Sequence, residues 1–76
     1  MTDRIAKYAE LRKRVDAAVE DFKNEDGSVL LYLFGDYNRD MERARIDGDE
    51  KEYDKCYANA LAIEKILMDR LKGVSA

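Results

Sequence analysis

Six apolar residues in succession, Val29-Leu30-Leu31-Tyr32-Leu33-Phe34, follow a Gly-Ser pair in a chain of 76 residues of which 41% are charged. On a helix each residue advances about 100°, so such a run encircles the axis, whereas a surface helix buries an apolar stripe roughly 100° wide. A strand is the poorer reading, because no second strand stands elsewhere in the sequence to pair with it. Read as helix, the run has more apolar circumference than one small core can cover. Part of it is expected to meet another chain.

Chain length sharpens that expectation. A single core in a domain this small supplies only about 3–5 kcal/mol unless something staples it. Cys56 is the only cysteine and histidine is absent, which excludes an intrachain disulfide and leaves no ligand set for structural zinc. Oligomerisation is the common staple that remains. The hydrophobic fraction of 46% is too high for a disordered chain, and no uncharged apolar stretch approaches the roughly 20 residues of a membrane span. The opening Met1-Thr2-Asp3-Arg4-Ile5-Ala6-Lys7 lacks a basic-then-apolar signal, so a cytoplasmic protein with a reduced thiol and no membrane partner is expected.

Proline is absent, and apolar spacing marks three helices, at about residues 3–24, 29–46 and 50–72, in one domain covering 1–76. In the first, Ile5, Tyr8, Leu11, Val15, Ala18, Val19 and Phe22 recur every three or four residues. Thr2 is its expected N-cap, and Gly27 its left-handed C-terminal glycine. Ser28 is the expected cap of the second, whose inner positions are Leu30, Leu33, Phe34, Tyr37, Met41 and Ala44. Gly35 marks a kink or a close helix contact there. Asp47-Gly48-Asp49 closes the second helix and opens the third, where Asp49 and Glu52 have capping-box spacing. The third helix takes Tyr53, Cys56, Tyr57, Ala60, Ile63, Leu67, Met68 and Leu71 on its central face. Leu61, Ala62 and Ile66 fall outside that arc, so Val29, Leu31, Tyr32, Leu61 and Ile66 are the expected interface residues. The fold class that follows is all-α, a three-helix up-down-up bundle assembled into a homo-oligomer.

The charge is nearly balanced, with 14 basic against 17 acidic residues, a net charge of −3 and a pI near 4.9. Its order along the chain is basic, acidic, acidic, basic, which an up-down-up arrangement neutralises internally. No broad basic face is left, and nucleic acid is disfavoured as a partner.

The polar constellations carry little chemistry. Asp36 and Asp40 share a helix face, but no comparable second pair is placed to complete a metal site, and Arg39 or Arg43 can neutralise them. Asp47-Gly48-Asp49 fails as a calcium loop, because the register that puts Gly48 at the glycine position puts Arg43 and Arg45 at ligand positions. Arg12 and Glu64 are read as an ion pair fixing register. Cys56 has no histidine to activate it and is read as a buried, inert thiol. No catalytic residue, metal or cofactor is expected. The function expected is that of a small non-enzymatic accessory or regulatory protein acting by self-association and by binding another macromolecule, in the first place another protein. The alternative is a homo-oligomer that sequesters a small anionic, nucleotide-like ligand at subunit junctions, with Lys7, Tyr8, Arg12 and Arg14 as the candidate binding residues.

Overall fold

The computed structural model describes residues 2–75, with side chains for 4–73, and contains three helices and no strand among them. They are α1 (Thr2–Phe22), α2 (Gly27–Asp47) and α3 (Glu50–Ser75). The architecture is the expected all-helical, up-down-up one. Its centre is α3: α1 and α2 each pack along it and scarcely touch one another. The resulting body measures 39 × 28 × 19 Å, much thinner than it is long.

Small residues explain this layout. Cys56, Ala58, Ala60 and Ala62 are all buried, a period of two that on a helix throws successive members about 200° apart. Cys56 and Ala60 form one low ridge and Ala58 and Ala62 another on the opposite side. Asp40 of α2 acts electrostatically on the Cys56 thiol, and Cys56 on Tyr37 of α2, which places α2 on the first ridge and leaves the second to α1. Short side chains let helix axes approach closely, so contact comes from backbone and Cβ atoms as much as from bulky groups. Only Leu30, Ile63 and Ile66 form the buried cluster of large residues, with Val19, Phe22, Leu33, Phe34, Tyr37 and Leu67 partly buried around it. Where α1 and α2 converge, Phe22 meets Tyr37 edge-on at 6.2 Å between centroids.

The turns follow local chemistry in one case and distant chemistry in the other. At the α2–α3 turn Gly48 has φ 74°, its N–H donates to the Arg45 carbonyl, and the Asp49 N–H donates to that of Ala44 at 2.9 Å. This is a Schellman closure. The Glu52 N–H then donates to the Asp49 carboxylate at 3.2 Å, as the capping-box spacing implies.

The α1–α2 turn departs from expectation. Gly27 is not a left-handed cap but the first residue of α2, whose N-cap is Asp26 rather than Ser28. Ser28 instead donates its hydroxyl to the Asp26 carboxylate at 2.9 Å. The end of α1 is held from far away: the Arg70 guanidinium on α3 donates to the carbonyls of Lys23 at 3.0 Å and Glu25 at 2.6 Å. With that cation supplying the terminal donors, no left-handed glycine is required. The Thr2 cap lies outside the residues whose side chains are described.

Gly35 makes no close helix contact. It is exposed inside α2, and a Cβ at that position would meet no neighbouring group within 4 Å. Gly35→Ala is therefore expected to stabilise the fold by about 0.5–1 kcal/mol, and Gly48→Ala, which forces a side chain into the left-handed region, to destabilise it by about 1 kcal/mol. Urea titrations of the two variants check both signs.

Candidate functional site

Two crevices open at the end of the domain where α1 begins and α2 turns into α3. One, of about 330 Å³, is lined by Lys7, Tyr8, Glu10, Leu11 and Arg14 of α1 with Tyr53, Asp54 and Tyr57 of α3. The other, of about 410 Å³, lies between Lys7, Ala44, Arg45, Gly48, Asp49, Glu50, Tyr53 and Asp54. They share Lys7, Tyr53 and Asp54 and so form a continuous groove. The helix spacing builds it: Tyr53 and Tyr57, four residues apart, stand on one face of α3 with ring centroids 6.1 Å apart and planes inclined at 37°. Tyr8 on α1 remains 64% exposed beside them.

The structure thus brings together three of the four candidate ligand residues, Lys7, Tyr8 and Arg14. Arg12 is exposed and does not line the groove. The groove's charge is mixed. Arg14 is paired with Glu10 at 3.2 Å, Asp54 offsets Lys7, and Asp49 and Glu50 accompany Arg45 at the other end. Tyrosine faces are available for stacking, but the field is not that of an anion site.

Of the expected interface residues, Val29, Leu31 and Tyr32 are exposed by 40%, 62% and 70%, and Leu61 is half-buried. Ile66 is corrected: at 6% exposure it belongs to the core with Leu30 and Ile63. The apolar arc that spacing draws along α3 is displaced from the side that is buried, because the alanines facing α1 carry little hydrophobic signal. Met68 and Leu71, placed on the inner face by spacing, are 51% and 61% exposed instead. The Arg12–Glu64 pair is likewise not formed, and both residues are exposed. Every ion pair among the described residues is local, between residues three or four apart, Glu10–Arg14, Glu20–Lys23, Asp36–Arg39 and Glu42–Arg45, and such exposed pairs add little. No group of three potential metal ligands occurs among the described residues, and no helix there is long and apolar enough to cross a membrane.

Cys56 is 2% exposed. Burial, then the Glu52 carboxylate, which accepts a hydrogen bond from the thiol at 3.6 Å, push its pKa from 9.0 up to about 11. Tyr37 is raised too, first by burial and then by Cys56, Asp40 and Asp36. Comparison with protein-family models, curated proteins and solved structures finds no match for this chain.

A raised thiol pKa means that the folded protein keeps a proton the unfolded chain has released. Stability contributed by the neutral thiol is complete below pH 9.0 and is lost as pH climbs towards about 11. Alkaline melts of wild type and Cys56→Ala are expected to diverge across that window, the variant showing the shallower decline. At neutral pH a thiol reagent is expected to label Cys56 only after denaturation; rapid labelling of the native protein would contradict its burial.

Proposed function

We propose that this protein is a small non-enzymatic accessory or regulatory module that works by helix-mediated self-association and by binding another macromolecule. The observation that carries this reading is the apolar run of α2. Leu30 closes the core at 0% exposure, while Leu31 and Tyr32 beside it are 62% and 70% exposed. The thinness of the core supports it further. Apart from Leu30, Ile63 and Ile66, the residues buried in the fold are alanines and one cysteine, and small side chains gain little on leaving water. A fold with so few enclosed large side chains benefits from burying apolar surface against a partner.

A second reading, retention of a small anionic ligand at a junction between copies, rests on the convergence of Lys7, Tyr8 and Arg14 with Tyr53 and Tyr57. Glu10 and Asp54 in the same crevice count against it. Interaction through the apolar surface is the better supported of the two.

Leu31→Glu separates a surface residue from an interface residue. In a monomer an exposed substitution changes stability by only about 0.5 kcal/mol. At a dry contact between chains it leaves a charge without a partner and is expected to abolish assembly. Sedimentation equilibrium of the variant beside wild type reads the outcome, and an unchanged mass and melting temperature would remove α2's run from the interface.

A further inference from the structure

The crevice between α1 and α3 has an aromatic lining that the core does not use. Lys7, Leu11 and Arg14 lie within about 60° of one another on α1, with Tyr8 on one flank and Glu10 on the other. Tyr53, Asp54 and Tyr57 of α3 complete the walls around about 330 Å³. Leu11 and Tyr53 are half-buried at its base, while Tyr8 and Tyr57 are 64% and 37% exposed at its rim. Tyr53 and Tyr57 lie ring beside ring, but neither makes a ring contact with Tyr8 among the described residues. Tyrosine therefore stands on both walls, across a gap that belongs to neither helix.

We infer that this crevice takes an arginine side chain from a partner polypeptide. The inference rests on the reading that the protein binds another macromolecule, and it names that partner's chemistry. Charge selects the guest once internal pairs are set aside. Arg14 is held by Glu10 at 3.2 Å, and Arg45, in the adjoining crevice, is held by Glu42, which does not line the groove. What remains is the Lys7 ammonium against the carboxylates of Asp49, Glu50 and Asp54, none of the four in an ion pair among the described residues. Asp49 already accepts the Glu52 N–H, which leaves Glu50 and Asp54 as acceptors. The residues that count against an anion thus count for a cation. Asp54 belongs to both crevices and follows Tyr53 directly in the chain. A carboxylate beside tyrosine rings matches guanidinium, which is planar and weakly hydrated, stacks on aromatic faces and gives a carboxylate two parallel hydrogen bonds. A lysine ammonium is more strongly hydrated, and a quaternary ammonium donates no hydrogen bond to Asp54. The crevice runs on into the second, of about 410 Å³, so the chain beside the arginine has a channel to follow. Lys7 is the one group that opposes the guest.

NMR titration of the isotope-labelled full chain tests this, using an end-capped Gly-Arg-Gly peptide and the same peptide with citrulline, which keeps the shape of arginine without its charge. The arginine peptide is expected to shift the ring signals of Tyr8, Tyr53 and Tyr57 saturably, and the citrulline peptide to leave them in place. Asp54→Asn is expected to weaken binding about tenfold. Lys7→Gln is expected to strengthen it about threefold, whereas an anion at the same rings would respond in the opposite sense. Both residues are exposed, and the citrulline comparison needs wild type alone. Equal binding of the citrulline peptide, or stronger shifts of the same rings by inorganic pyrophosphate, overturns the arginine site. No shift at these tyrosines, in a chain whose assembly Leu31→Glu still abolishes, overturns the groove and leaves the self-association reading standing.

Discussion

Everything in this fold hangs on how closely α1 and α2 can approach α3. The alternating small residues Cys56, Ala58, Ala60 and Ala62 make two shallow faces on opposite sides of one helix, and each neighbour settles into one of them. Close-packed backbones contribute many weak dispersion contacts where a larger protein would use a few large side chains. Bulkier residues at Ala58 or Ala62 would push α1 outward and separate Val19 and Phe22 from the Leu30–Ile63–Ile66 cluster that they complete. The arrangement has a geometric cost. A helix flanked on opposite sides cannot also be covered across its remaining circumference, so part of α3 stays in solvent whatever its sequence.

That uncovered part is where the polar and apolar features of the chain collect. The tyrosines at one end, the groove they line, and Met68 and Leu71 at the other belong to a continuous side of α3. The charged residues nearby form no interhelical ion pair among the described residues. Apart from the Arg70 hydrogen bonds to the Lys23 and Glu25 carbonyls, cohesion between the helices is therefore apolar, and the surface charges act chiefly on solubility.

The helices, their order and the α2–α3 turn are legible in the sequence because each depends on neighbours. The three- and four-residue spacing identifies Leu30, Tyr37 and Ala44, and Asp47-Gly48-Asp49 carries its own closing chemistry. The α1–α2 turn is not legible in the same way. Gly27 and Ser28 have the composition of a cap, yet the carbonyls of Lys23 and Glu25 are taken by Arg70, far along the chain. Ile66 is hidden for a related reason: alanine burial gives a weak periodic signal, so the α1 side of α3 reads as surface. Of the candidate site, the grouping of Lys7, Tyr8 and Arg14 follows from their shared helix, whereas the company of Asp54, which offsets their charge, becomes visible only once α1 and α3 lie side by side.

The near absence of contact between α1 and α2 bears on how the chain is made. A helical hairpin emerging first from a ribosome would ordinarily consolidate against itself, because adjacent helices share a face. Here the first two helices share few backbone-level contacts and meet chiefly where Phe22 packs on Tyr37, and the arginine that secures the link between them is synthesised after both. The nascent chain therefore carries two amphipathic segments with open apolar faces until α3 arrives to join them. A fragment ending before α3 is therefore expected to lack a stable core and to be readily cleaved by proteases.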